Sequence, residues 1–155
     1  MIRNYEILTN TPPTLDEYIY LCSSVGWKDF MNFDVAEISI RNSLCSIIVK
    51  DNHNIIGMGR IVGDGAIYFY IQDIVVHPDY QGKGIGKEIM KSLMTYLEEN
   101  APDKAFIGLF ASKGKGEFYE KYNFKDYSPN MTGMFKVISE WTKEKLDLLN
   151  SNSIG

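Results

Sequence analysis

Three glycines at alternate positions, Gly82, Gly84 and Gly86, stand between a β-rich run and a long amphipathic pattern. This arrangement constrains the fold more than any other stretch of the chain. Ile71-Gln72-Asp73-Ile74-Val75-Val76 reads as a strand, and Pro78 ends its ladder. After Gln81-Gly82-Lys83-Gly84-Ile85-Gly86-Lys87, residues Ile85, Ile89, Leu93 and Leu97 recur every fourth position, with Met90 and Met94 beside them. That period predicts a helix from about Gly84 to Glu99, stopped by Asn100-Ala101-Pro102. The first turn of such a helix presents unpaired N–H groups and the positive end of its dipole to the loop. Glycines let the backbone approach a ligand closely. The loop therefore reads as a cradle for a phosphate or pyrophosphate, with Lys83 and Lys87 adding charge and the Gln81 side chain fixing the turn. Its spacing is neither the dinucleotide fingerprint nor the NTPase phosphate loop.

The rest of the chain supplies a sheet around this unit. Residues 2–8 predict a strand, and Thr9-Asn10-Thr11-Pro12-Pro13 a turn. Thr14 with Glu17 forms a capping-box pattern ahead of Leu15, Tyr18, Ile19 and Cys22, and Gly26 ends that helix. A short helix over 34–42 is expected to bury Val35 and Ile38, with Phe33 nearby. Cys45–Lys50, Ile55–Val62 and Ala66–Val76 predict three strands joined by tight turns, an antiparallel meander. After the long helix come a buried-type strand at Ala105–Phe110, a short helix over 115–122, strands near 124–127 and at Gly133–Ile138, and an amphipathic helix over 139–149. The expected fold is mixed α/β: a central mixed sheet, antiparallel first and then crossing over through a β-α-β unit, with helices on both faces. One domain spans residues 1–155, of which 151–155 read as a short polar tail.

Charge and composition narrow the function classes. With 16 Lys+Arg against 20 Asp+Glu, the net charge is −4, which disfavours a dedicated nucleic-acid binder. No run approaches the ~18 apolar residues of a membrane span, and the first residues carry no signal-type apolar stretch. Cys22 and Cys45 lack metal-ligand spacing and read as buried free thiols. With only His53 and His77 besides, no metal site is expected. His53 reads as a surface turn residue and His77 as a solvated loop residue. A reducing cytoplasm fits this cysteine usage.

Gln81-Gly82-Lys83-Gly84-Ile85-Gly86, following Val76-His77-Pro78, resembles the [Q/R]-x-x-G-x-[G/A] signature of the GNAT superfamily of acyl-CoA N-acyltransferases. Phe118-Tyr119-Glu120-Lys121-Tyr122-Asn123-Phe124 resembles that family's F-Y-x-x-x-G-F segment, with Asn123 where glycine is usual. Asn tolerates the left-handed backbone that a helix-ending position requires. The resemblance implies acetyl-CoA as co-substrate. Backbone groups of Ile74, Val75 and Val76 would pair with the pantetheine arm, and amides from Gln81 to Lys87 (Gly82, Lys83, Gly84, Ile85 and Gly86 between them) would hold the pyrophosphate. Tyr119 matches the family's general acid facing the CoA sulfur, the alternative being an aromatic core residue with a satisfied hydroxyl.

Acyl transfer to an amine requires a neutral amine, a polarised carbonyl and a stabilised leaving thiolate. Direct attack is more economical here than a covalent intermediate, because the sequence suggests no activated serine or cysteine. Asp73 is either the base or a structural hydrogen-bond acceptor. Trp27 and Phe30, in an aromatic-rich loop after the first helix, and Phe110 are candidate walls of the acceptor pocket. The chain also looks like the serotonin-type and glucosamine-6-phosphate branches of the family. The expected activity is acetylation of a small-molecule primary amine. The alternatives are a glucosamine-phosphate or protein amine acceptor, or a non-catalytic acyl-CoA-binding module. A homodimer is a further expectation, with no nucleic-acid or membrane partner.

Overall fold

Among the described residues, the sequence pattern of β-branched runs and tight turns folds into one five-stranded sheet with helices packed on both faces. The structure, a computed structural model, describes residues 5–138. The strands are β1 (Glu6–Leu8), β2 (Cys45–Asp51), β3 (Asn54–Gly63), β4 (Tyr68–Val76) and β5 (Phe106–Gly108), and they lie in that order across the sheet. Strands β1 to β4 pair antiparallel and β5 joins β4 parallel. The helices are α1 (Leu15–Ser24), α2 (Ala36–Arg41), α3 (Ile85–Asn100) and α4 (Gly116–Glu120). This is the expected mixed α/β architecture, a meander followed by a β4–α3–β5 crossover.

Two apolar layers hold it together. On one face, Ile85, Ile89, Met90, Leu93 and Leu97 of α3 pack on Ile47, Val49, Ile61, Phe69 and Ile71. Each such buried side chain contributes about 1.5–3 kcal/mol of transfer free energy. On the other face, Tyr18, Leu21 and Cys22 of α1 and Ala36 and Ile40 of α2 pack on Ile48, Met58 and Val75. The α1 start is the capping box the sequence signals: Glu17 N–H donates to Thr14 Oγ1 (3.1 Å) and Thr14 N–H to Glu17 Oε1 (2.9 Å). Glu17 also pairs with Lys50 of β2 at 3.1 Å.

Helix α3 comes close to β3 because that strand offers glycines there. A Cβ at Gly59 would lie 2.6 Å from Ile89 Cγ2, and one at Gly57 would lie 3.1 Å from Ile89 Cδ1. Missing side chains let the helix sit directly on the strand.

Several expectations are corrected. Val35 and Ile38 are exposed, and Ala36 and Ile40 are buried instead. The cause is a 3-10 turn over Phe33–Val35, capped by Asn32 Oδ1 accepting from Asp34 N–H. It delays α2 to Ala36 and rotates its inward face. Strand β5 is shorter than Ala105–Phe110 and lies at the sheet edge, with Phe106 44% exposed, so it is not a buried strand. Residues 124–127 and 133–138 form no strand, because no neighbouring ladder pairs with them among the described residues. The helix expected over 139–149 lies outside the described residues.

Both thiols are free and buried. Burial, with the Asp73 carboxylate adding to it, pushes Cys22 up to about 12, and burial also raises Cys45. Thiols of an unfolded chain ionise near 8.5. The neutral-thiol contribution to stability is therefore complete below that value and is lost as pH rises from there towards the native values. The denaturant midpoint is expected to be flat between pH 6 and 8 and to fall by pH 10. At pH 8, Ellman's reagent should leave the native protein unlabelled and titrate both thiols in denaturant; rapid native labelling contradicts this. Gly59→Val should cost about 1–3 kcal/mol by overpacking against Ile89. Gly116→Ala, where an added Cβ meets nothing, should leave the melting temperature unchanged or higher.

Candidate active site

Strand β4 is straight only as far as Ile71. Phe69 and Ile71 face α3, but so do Ile74 and Val76, so the alternation changes parity between Ile71 and Ile74. The register shows why: Met58 pairs with Val75 and Arg60 with Gln72, leaving Gly59 alone opposite Asp73 and Ile74. This is a β-bulge, and Asp73 sits in it with φ of 53°, in the left-handed region that most residues avoid. Pairing with β5 covers only Tyr68, Phe69 and Tyr70. Beyond Tyr70, β4 has no second partner strand among the described residues, and its edge towards β5 is open.

The open edge leads into the glycine loop. His77 follows β4 and caps a 3-10 turn over Pro78–Tyr80, its Nδ1 accepting from Asp79 N–H at 3.1 Å. His77 is thus a half-buried cap, stacked on Tyr20 with centroids 5.5 Å apart, rather than a solvated loop residue. Gln81 Nε2 donates to Val76 O at 3.0 Å, tying the loop's first residue to the end of β4. Gly82 and Gly84 have φ of 76° and 83°, which only glycine adopts freely, and a Cβ at either would meet nothing within 4 Å. The first backbone bond of α3 is Glu88 N–H to Gly84 O, 3.2 Å. Ahead of it, the N–H groups from Gly82 to Lys87 donate to no partner among the described residues. These unpaired amides lie at the positive end of a 16-residue helix, beside open space and two lysines. That donor set fits a pyrophosphate. Lys83 Nζ lies 5.3 Å over the Tyr80 ring.

Tyr119 lies on α4 and belongs to the α3 layer of the core, 6% exposed. Its ring meets Phe118 and Phe124 edge-on, with centroids 5.1 and 6.5 Å apart. Burial pushes its phenol above the usual tyrosine range, so the proton is retained at neutral pH. Its hydroxyl makes no hydrogen bond among the described residues. Asn123 adopts φ of 69° and its N–H donates to Glu120 O at 3.0 Å, so it serves as the left-handed helix stop. Tyr122 Oη donates to Lys87 O at 3.4 Å, linking α4 to the start of α3.

Asp73 is occupied. Its Oδ2 accepts from Arg60 Nε and from Tyr18 Oη, each at 2.7 Å. Arg60 and Asp73 are both nearly buried, 10% and 12% exposed at the side chain. Burial works against the Arg60 charge, and Asp73 more than offsets it. Tyr18 is raised far above its ordinary value, by burial first and then by the Asp73 charge. The sequence reading missed Arg60 and Tyr18 as partners. The available signal was a single arginine, Arg60, inside an otherwise apolar strand.

The candidate acceptor walls separate. Trp27 packs on the α1–α2 layer that includes Met58 and Val75, and its Nε1 is buried without a hydrogen-bond partner among the described residues. Phe30 ends a 3-10 turn over Lys28–Phe30. Phe110 lies past β5, 56% exposed, and meets Phe135 at 6.4 Å. No cluster of three or more metal-ligating side chains forms among the described residues, and no helix there is long and apolar enough to cross a membrane.

Known proteins match this arrangement. The family model described as an acetyltransferase (GNAT) domain matches residues 21–134. An uncharacterised N-acetyltransferase, ycf52, of Pyropia yezoensis is 33% identical over 137 residues, covering 86% of this chain and 77% of that protein. A probable acetyltransferase of unknown function from methicillin-resistant Staphylococcus aureus superposes with a TM-score of 0.79 at 29% identity, over 86% of this chain and 98% of the other. Glucosamine-6-phosphate N-acetyltransferase from Arabidopsis thaliana shares the fold alone, with a TM-score of 0.59 and 17% identity over 86% of this chain and all of the other, 100%. With the family model covering most of the chain, and with the open β4 edge and glycine loop in place, this protein belongs to the GNAT family of acetyltransferases.

Proposed function

We propose that the protein transfers the acetyl group of acetyl-CoA to a primary amine of a small molecule by direct attack. The observation that carries the reading is the run of unpaired amides from Gly82 to Lys87 at the start of α3, continuous with the open edge of β4. The amides would hold the pyrophosphate, and backbone groups of Ile74, Val75 and Val76 would pair with the pantetheine amides as an added strand does. Bound acetyl-CoA supplies the thioester.

Tyr119 is the group we assign to the leaving sulfur. It is the proposed general acid: burial keeps its phenol protonated at neutral pH, and it donates to the developing thiolate a hydrogen bond that gains strength as charge builds on sulfur. The amine's own proton, lost as the C–N bond forms and the C–S bond breaks, balances the CoA thiol. The acceptor enters neutral, so kcat/KM is expected to rise with pH towards the amine's own pKa. Trp27, partly buried against the α1–α2 layer, is the residue we assign to the acceptor side. The acidic balance of the chain, −4, is compatible with a cationic amine acceptor. We place the reaction in the cytoplasm, in keeping with the free thiols, and the enzyme as a homodimer.

The test has two readouts. Calorimetric titration with acetyl-CoA reads the donor site, and CoA thiol release over arylalkylamines, amino sugars, polyamines and peptides reads the reaction. Tyr119→Phe should lower kcat by about 100-fold while acetyl-CoA affinity stays within about threefold. Equal large losses in both would make Tyr119 structural. Gly84→Val, which forces a β-branched residue into a left-handed turn and fills the space before the amides, should weaken acetyl-CoA binding by about tenfold or more. Unchanged binding would remove the pyrophosphate from this loop.

A further inference from the structure

The structure assigns Arg60 and Tyr18 as positioning residues of the acyl-transfer site: holding Asp73 between them, they fix the bulge that opens the β4 edge. The inference rests on the use of that edge by acetyl-CoA proposed above.

Asp73 stands where β4 changes parity, three residues beyond its last pairing with β5. A left-handed non-glycine residue there is strained and persists only when its surroundings over-determine it. The surroundings do so through one carboxylate oxygen. Tyr18 Oη reaches it from α1 and Arg60 Nε from β3, both at 2.7 Å. Arg60 is itself anchored to α2 and the turn after it: its Nη1 donates to Ser39 O (3.1 Å) and to Ser43 Oγ just past the helix (3.0 Å), and its Nη2 to Ser39 Oγ (3.0 Å). The guanidinium lies 5.8 Å over the Tyr18 ring. The bulge is therefore fastened to β3, α1 and α2 together, on the face opposite α3.

A buried ion pair adds little net stability over apolar residues of the same volume, whereas losing one partner leaves an uncompensated charge. What the pair supplies is direction. Two donors converging on Oδ2 set where the Asp73 side chain points, and with it the twist of the strand through Ile74. Residues Ile74 to Val76 follow at once and form the edge on which the thioester would lie. On this account Asp73 is an acceptor that transmits position, and its role as a base is not needed.

The test is calorimetric titration of acetyl-CoA into the wild-type protein, Arg60→Met, Asp73→Asn, the Arg60→Met/Asp73→Asn pair and Tyr18→Phe. Circular dichroism and melting confirm that each is folded. Asn keeps the tolerance for positive φ and still accepts from Tyr18. Arg60→Met and Asp73→Asn should each weaken acetyl-CoA binding about tenfold, and the double variant should stay about as weak, since removing the unpaired charge does not restore the donor that directs Asp73. Tyr18→Phe should weaken it by about threefold, and if Arg60→Met does not fold, Asp73→Asn and Tyr18→Phe carry the comparison. Wild-type affinity in all single variants overturns the inference while leaving the donor site intact. A double variant that binds normally but turns over as poorly as Asp73→Asn at every pH overturns it in favour of Asp73 as the base. A wild-type protein that does not bind acetyl-CoA overturns the donor site, and this inference with it.

Discussion

The parting of β4 from β5 is the constraint on which the rest of the site depends. A parallel pair that stayed in register to the end of β4 would satisfy every backbone group and leave nothing to offer a ligand. Here the pairing ends at Tyr70, a left-handed aspartate follows at Asp73, and the strand then re-enters the core with its parity reversed. Ile74 and Val76 still bury their side chains against α3, so the strand end stays rigid while its edge is open. A rigid strand with unpaired edge groups is the condition under which an extended amide-bearing molecule can be bound as though it were the next strand.

The glycines of β3 place the anion cradle at the end of that strand. Because a Cβ at Gly59 would collide with Ile89, the close seat of α3 on the sheet is fixed by what is absent from β3 as much as by the leucines and isoleucines of the helix. The seat fixes where α3 begins, and the bond from Gln81 to Val76 O fixes the loop between strand and helix. Cradle and open edge are therefore consecutive in the chain and held by the same layer. Tyr119, on α4, is held by that layer too, and Tyr122 fastens α4 to Lys87 at the first turn of α3.

Much of this is legible from residue patterns. The four-residue recurrence of Ile85, Ile89, Leu93 and Leu97 gives α3 almost to the residue, Thr14 and Glu17 give the start of α1, and the alternating glycines locate the cradle. Asn123 is readable as a left-handed stop because its side chain tolerates that backbone. What fails has a common cause: it depends on partners distant in sequence. Whether residues 133–138 form a strand is decided by a ladder, not by their own β-propensity. The inward face of α2 is set by a 3-10 turn whose cap, Asn32, is a local detail that apolar periodicity does not see. The bulge at Asp73 is invisible to period-2 reasoning, since one inserted residue shifts every following side chain to the other face. The partnership of Asp73 with Tyr18 spans 55 positions, and only the odd presence of Arg60 in an apolar strand hints at it.

The central claim is that the amides opening α3 and the edge of β4 are one acyl-CoA site. The most direct measurement is a backbone amide nuclear magnetic resonance titration of the assigned protein with acetyl-CoA. The account predicts that the largest shifts fall on Gly82 to Lys87 and on Ile74 to Val76 together, at one common saturation, with β1 and β2 little changed. Saturable shifts confined to other surfaces, with those two segments unmoved, would contradict it.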